Sequence, residues 1–414
     1  MTKHEALKTY FGYDEFRPAQ ETIIDTLLSG RDVLGVMPTG AGKSLCYQIP
    51  ALLFQGATLV VSPLISLMKD QVAQLRKGDI PAAFINSSLS SEQYREVLRR
   101  VGAGRYKIIY VAPERLQTEN FLSFALMIDI SLIAVDEAHC VSQWGQDFRP
   151  NYLKIADFVE KLKTRPVIGA FTATATGDVK NDIINFLKLN DPMSTTTGFD
   201  RPNLYFGVEK PKNKSTRFHE IIAQHPGECG VVYCSTRKAV DTVTSELRKR
   251  GVSVARYHAG LDDEERRQNQ DDFIQNRVFV IVATNAFGMG IDKPDVRYVV
   301  HYNMPKNLES YYQEAGRAGR DGKPSECIML FSEEDIDTAE YMIRESGQNE
   351  SLDEKTRRNV RRLDEKRLDK MIRYCEVHSC LRAYILGYFG EKHKGNCKNC
   401  SSCNHPSLWS RLIK

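Results

Sequence analysis

Asp32-Val33-Leu34-Gly35-Val36-Met37-Pro38-Thr39-Gly40-Ala41-Gly42-Lys43-Ser44-Leu45-Cys46-Tyr47 is the stretch on which the reading of the fold turns. Asp32–Met37 is an apolar, β-prone run, Ser44–Leu53 has a helical pattern, and Pro38–Lys43 turns between them. A glycine turn between strand and helix aims backbone N–H groups at the helix N-terminus. Thr39, Gly40, Ala41 and Gly42 therefore form a candidate phosphate cradle, with Lys43 as a point charge and Ser44 as a Mg²⁺ ligand. Met37 stands where the generic pattern G-x-x-x-x-G-K-[ST] has its first glycine.

Outward from this turn, strand-like runs alternate with helical patterns. Thr58–Ser62, Lys107–Val111, Leu132–Val135 and Val167–Thr172 read as strands, and Ile65–Gly78 and Ser91–Gly102 as helices. The pattern breaks near 192–205 and restarts with strands at Gly230–Cys234, Ser253–Tyr257, Val278–Ala283 and Val296–His301. Helices at Lys238–Arg250 and Asp262–Asn276 fall between them. Alternation at this spacing predicts two α/β domains, each a parallel sheet with both faces covered. Their expected bounds are 1–198 and 199–335, followed by a helical module over 336–405 and a tail at 406–414.

Asp136-Glu137-Ala138-His139 follows the apolar run Leu132–Val135. Two adjacent carboxylates at a strand end need a cation: Asp136 can hold Mg²⁺ while Glu137 activates a water. The tetrapeptide is a weak signal alone and a strong one about ninety residues beyond a phosphate loop.

The composition, 42% hydrophobic and 27% charged, is that of a globular protein able to bury large cores. A net charge of +4 over 414 residues does not establish nucleic-acid binding, so any basic footprint must be local. The apolar runs are shorter than a membrane span and the N-terminus lacks a signal-peptide core, which predicts a cytoplasmic protein with reduced thiols. Four of the ten cysteines (Cys46, Cys140, Cys234 and Cys327) fall in buried-looking positions. Residues 333–373 are helical and rich in Arg and Lys, from Arg357 to Arg373, with acidic residues interleaved. A solvated face and a DNA-facing one are equally open there.

Together these residues resemble a superfamily 2 helicase, and the chain is identified as similar to the RecQ family of DNA helicases over nearly its whole length. Phe11–Gln20 is similar to the family's adenine-recognition motif, which implies that Gln20 reads the base edge while Tyr13 and Arg17 stack on its faces. Cys140–Pro150 is similar to its aromatic-rich loop, implying DNA contact by Ser142, Trp144, Phe148 and Arg149, with Phe148 as a core plug the competing reading. DNA binding there would be felt at Glu137 through His139. Thr172–Thr176 resembles the coupling motif whose hydroxyls bond the D-E-A-H box. Ala283–Pro294 resembles a motif that touches nucleotide and DNA, and Asp292 is left without a role. Tyr233–Arg237 and Tyr257–Leu261 resemble motifs lining the DNA track, which implicates Arg237 and His258. In Tyr311–Gly322, Gln313, Arg317 and Arg320 would share a helix face and act on the γ-phosphate as arginine fingers.

Cys397-x-x-Cys400-x-x-Cys403 suits soft-metal ligation, and the family layout implies a Zn²⁺ completed by Cys380 on an upstream helix. An iron–sulfur cluster and the rival ligands Cys375, His378, His393 and His405 are the alternatives. With only Asn404–Lys414 after it, the resemblance leads to the expectation of a short form without the winged-helix and further helical domains common in the family.

The resemblance implies two tandem RecA-like parallel-sheet domains and a small helical zinc-binding module. It also implies an ATP- and Mg²⁺-dependent 3′→5′ DNA helicase that moves on single strands and opens 3′-tailed duplexes in repair, recombination and replication. Its partners would be DNA, a single-strand-binding protein and repair factors; it would be nucleoid-associated in a bacterium. An RNA helicase, and a strand-annealing protein that does not unwind, are the rival readings.

Overall fold

A computed structural model describes residues 1–145, 147–288, 293–346 and 353–404. Gln146, Asp292, His405 and the expected tail at 406–414 lie outside the described residues. The chain divides into two compact units, Met1–Gly198 and Phe199–Lys414.

The first unit is a 7-stranded parallel sheet. Its strands are β1 (Val33–Val36), β2 (Ala57–Val61), β3 (Ala82–Ile85), β4 (Ile108–Val111), β5 (Ile130–Val135), β6 (Val167–Thr172) and β7 (Met193–Thr196). They stand in the order β3-β4-β2-β5-β6-β1-β7. Parallel neighbours require crossovers, and the helices that make them cover both faces. Val60, Tyr110, Ala134 and Phe171 of the sheet pack with Cys46, Tyr47, Met68 and Val72 of the helices Lys43–Leu53 and Ile65–Lys77. Met37 belongs to this core: it is buried, with its sulfur 3.7 Å from the Cys46 thiol.

The second unit contains a 6-stranded parallel sheet. Its strands are β8 (Leu204–Glu209), β9 (Cys229–Tyr233), β10 (Val254–Tyr257), β11 (Val280–Ala283), β12 (Val296–His301) and β13 (Ser325–Leu330), in the order β10-β11-β9-β12-β13-β8. Helices Glu334–Ser346, Glu354–Glu376 and Leu381–Tyr388 follow. The cysteine loop lies along β8. Phe206 bridges to Cys400, the Val208 N–H donates to Ser401 Oγ (3.2 Å), and the Asn399 amide donates to the carbonyls of Pro202 (3.0 Å) and Leu204 (3.1 Å). An otherwise open strand edge is thereby covered.

Four strands escaped the sequence reading: β3, β7 and β8 at sheet margins, and β13 beside β8. A margin strand has one ladder partner and one solvated side, so Met193-Ser194-Thr195-Thr196 carries no continuous apolar run.

Candidate nucleotide and metal sites

Strands β5, β6 and β1 are neighbours, so three segments meet at their C-terminal ends: the D-E-A-H box, Thr172–Thr176, and the phosphate loop. This end of an open parallel sheet is where helix N-termini and loop amides converge. Gly42 caps the helix Lys43–Leu53 in the left-handed region, φ +78°, and a Cβ there would lie 2.2 Å from Gln20 Nε2. Only glycine fits this turn.

Lys43 Nζ lies 3.9 Å from Glu137 Oε1, with both side chains mostly buried. Asp136 is buried beside Glu137; burial, and after it the Glu137 charge, push its carboxyl up to about 7 against the pull of Lys43. A buried carboxyl raised in this way, next to a second one, fits a divalent cation that would restore its charge. Glu137 is itself in the left-handed region (φ 47°), a conformation stored at functional sites. Its Oε2 is buried without a hydrogen-bond partner among the described residues.

His139 sits beside it, its Nδ1 3.4 Å from Glu137 Oε2 and 2.9 Å from Thr172 Oγ1. The Thr172 hydroxyl donates to the Thr174 carbonyl (3.1 Å), so His139 Nδ1 must carry the proton between them. Burial lowers the His139 pKa, which keeps the ring neutral. The expected bond between the Thr172–Thr176 hydroxyls and the D-E-A-H box is thus present. Tyr152, on the helix Pro150–Lys161, donates to the Asp136 carbonyl at 3.0 Å. It carries no motif and was not singled out from the sequence.

The aromatic loop folds back on this cluster. The Ser142 N–H donates to the His139 carbonyl (3.1 Å) and the Arg149 N–H to the Cys140 carbonyl (2.9 Å). A Cβ at Gly145 would stand 2.2 Å from the His139 carbonyl oxygen, so the close approach requires glycine. Trp144 is 40% exposed, and Phe148 half-buried. Two expectations need correction. Ser142 is buried, its hydroxyl spent on Asp182 (2.6 Å), which leaves it a brace of the loop rather than a surface contact. Arg149 is held by Asp147 (2.9 and 3.0 Å) and donates to the Pro63 carbonyl (2.9 Å), so its guanidinium is not free for a phosphate.

The segment expected to hold adenine lies against the phosphate loop. Arg17 donates to the Gly40 carbonyl (2.6 Å), and Gln20 donates to the carbonyls of Ala41 (3.2 Å) and Gly42 (3.1 Å) while accepting from the Arg17 N–H (3.0 Å). Tyr13 is exposed. Thr39 and Ser44 are half-buried in the same loop.

In the second unit, Gln313 lies on the helix Leu308–Ala315, which stops before Arg317 and Arg320. The expected common helix face is therefore absent: Gly316 caps the helix and Gly319, φ +56°, turns the chain on. Arg317 is buried and donates to the Gly288 carbonyl, and with Arg320 it lines a small cavity closed by Lys293 and Phe287. His258 is buried, 3.2 Å from Asp241, so it orients its loop rather than facing solvent. Arg237 at the start of the helix Arg237–Lys249 is exposed close by, its side chain reaching Gly260. On the helix Glu354–Glu376, Arg358, Arg361 and Arg367 are paired to Glu354, Glu365 and Asp364.

The Sγ atoms of Cys380, Cys397, Cys400 and Cys403 all lie within 4.8 Å of one another. Cys397 and Cys403 are 3.9 Å apart, against about 3.8 Å for the edge of a ZnS₄ tetrahedron with ~2.3 Å bonds. Four converging thiols with no carboxylate fit a closed, structural zinc site. Cys380 is the N-cap of the helix Leu381–Tyr388 rather than a residue within it. The rival Cys375 is buried elsewhere, its thiol 3.3 Å from the Met329 sulfur.

Among the described residues no helix is long and apolar enough to cross a membrane. Three family descriptions match in order: DEAD/DEAH box helicase over residues 17–183, helicase conserved C-terminal domain over 213–322, and RecQ zinc-binding over 333–404. The chain is 46% identical to the ATP-dependent DNA helicase RecQ of Bacillus subtilis over 96% of its own length and 66% of that protein's. It is 42% identical to the probable ATP-dependent DNA helicase RecS of the same organism, over 83% of this chain and 70% of that one. A DNA-bound structure of the helicase MrfA shares the fold at a TM-score of 0.69 and 18% identity, covering 95% of this chain and 59% of that one.

Proposed function

Because the chain belongs to the RecQ family of DNA helicases, we propose that it is an ATP-dependent motor that translocates 3′→5′ on single-stranded DNA and opens duplexes. The observation that carries this is the convergence of Lys43, Asp136, Glu137, His139 and Thr172 at three adjacent strand ends. Loop amides and Lys43 bind the phosphates, and Ser44 and Asp136 hold Mg²⁺. When bound, that ion supplies charge to the transferring phosphoryl group. Glu137, with one oxygen bare, takes a proton from the attacking water. Tyr13, Arg17 and Gln20 hold adenine, with Gln20 exchanging its loop carbonyls for the base. Gln313, Arg317 and Arg320 act on the phosphates, Arg317 after leaving the Gly288 carbonyl. Trp144 and Phe148 stack on bases, and Arg237 meets the backbone.

A strand-displacement assay on 3′-tailed and 5′-tailed duplexes tests the reading, with Lys43→Ala as control. Opening of the 3′-tailed substrate alone, lost in the variant, supports it. ATP-independent annealing that survives in Lys43→Ala, with no displacement by the unaltered chain, makes it a strand-binding protein instead.

A further inference from the structure

The first unit carries a second concavity away from the nucleotide loops. It is a groove of about 870 Å³ between the helices Ser91–Gly102 and Glu119–Ala125. These helices flank β4 at the β3 margin of the sheet. β4 stands four strands from β1, or about 19 Å at a ~4.8 Å spacing, so the groove is no extension of the phosphate site.

Its chemistry is of two kinds. The floor is apolar, with Leu98 half-buried, Phe124 buried beneath it, and Met127 76% exposed at the lip. Arg95, Arg99 and Arg115 also line it, and among the described residues no Asp or Glu does. Glu96 on the same helix is shared between Arg99 (2.8 Å) and Arg100 (2.6 Å), so one carboxylate faces two guanidiniums. Arg115 lies over the Tyr94 ring at 5.5 Å and donates to the Asn86 carbonyl (3.2 Å), which fixes it in place. Arg95 is exposed and has no partner among the described residues. The groove thus offers a fixed cation, a free one and a half-neutralised one around an apolar trough.

We propose that this groove docks an acidic peptide segment of a partner protein, one that inserts an aliphatic or aromatic side chain against Leu98, Phe124 and Met127 and sets carboxylates on Arg95 and Arg115. Charge complementarity selects an anion, and the apolar floor selects a peptide over a nucleic-acid backbone, whose phosphates leave such a floor unused. Met127, unbranched and exposed, adapts to the inserted side chain. The groove is of the size that buries a few side chains, so affinity in the micromolar range and strong salt dependence follow.

The test is fluorescence anisotropy with a labelled synthetic peptide of four acidic residues followed by leucine and phenylalanine, read on the full chain. A second peptide replaces the two apolar residues by serines, and a third probe is a labelled 20-nucleotide single strand. Arg95→Glu and Met127→Ser both change exposed side chains, so folding and ATP turnover stay as they are. Saturable binding of the first peptide, weakened about tenfold or more by either substitution and by the serine replacement, supports the docking site. Absence of binding below about 100 µM, or binding unchanged in both variants, overturns it. If Arg95→Glu weakens the single strand and the peptide does not bind, the groove is a nucleic-acid contact and the proposal is wrong.

Discussion

Replacing Thr172 by Val removes one hydroxyl from a buried network and changes almost nothing in shape. That hydroxyl accepts from His139 Nδ1 (2.9 Å), donates to the Thr174 carbonyl (3.1 Å) and accepts from the Thr174 N–H (3.3 Å). Both Thr172 and His139 are buried, so water cannot stand in for the lost oxygen. Three hydrogen bonds are lost at about 1 kcal/mol each, which places the loss of stability at roughly 2–4 kcal/mol. The imidazole N–H then faces Glu137 Oε2 at 3.4 Å, the oxygen without a hydrogen bond. A donor on that oxygen favours the ionised carboxylate and weakens it as a base. General-base catalysis is worth about 10²–10⁴ in rate, so a weakened base lowers kcat roughly 10- to 100-fold with KM for ATP little changed. Steady-state DNA-stimulated ATPase and thermal unfolding are measured on Thr172→Val and Thr172→Ser. Serine keeps the oxygen and restores most of kcat. If Thr172→Val lowers the melting temperature and leaves kcat intact, or if serine is as poor as valine, the hydroxyl is only structural and the argument about Glu137 fails.

Gly42→Ala forces a left-handed backbone on an L-residue and drives a methyl into Gln20; nucleotide affinity falls about tenfold or more, read by titration with a fluorescent ATP analogue. Cys403→Ser, or extraction of zinc by a strong chelator, frees the loop that lies on β8. Proteolysis then begins near residues 199–210 and the second unit loses about 3 kcal/mol or more, roughly 6–12 °C in Tm by calorimetry. His225 is held protonated by Glu326 and then Glu228, against burial, so its pKa in the folded chain lies above 6.5. Its stabilisation is full below about 6.5 and drains away as pH rises through the folded value; the Tm advantage over His225→Gln therefore shrinks as pH is raised above about 6.5.

The residues that announce themselves in the sequence are those whose chemistry is bound to local geometry. Gly42-Lys43-Ser44 needs only a strand before it and a helix after it, and the knuckle Cys397-x-x-Cys400-x-x-Cys403 closes on itself. What the sequence hid is set by contacts across the fold. The inward turn of Ser142 depends on Asp182, forty residues on, and that of His258 on Asp241. The helix before Arg317 ends at Gly316, and the left-handed Gly319 then redirects the chain, neither of which residue spacing reveals. Margin strands such as β7 lack the apolar run that marks a central one, because one of their sides is solvated. The groove beside Leu98 has no motif at all; it exists because two helices separated by a strand leave a gap between them.

The covering of β8 by the cysteine loop sets a clock on biosynthesis. Pro202 and Asn399, which meet across that edge, are 197 residues apart. At roughly 5–20 residues per second a ribosome takes about 10–40 s to pass from one to the other. During that interval the first strand of the second sheet has emerged with an unsealed margin, a template for pairing with another nascent chain. Cells short of zinc would lengthen the exposure, so the yield of folded protein should follow metal supply during translation more closely than metal supply afterwards.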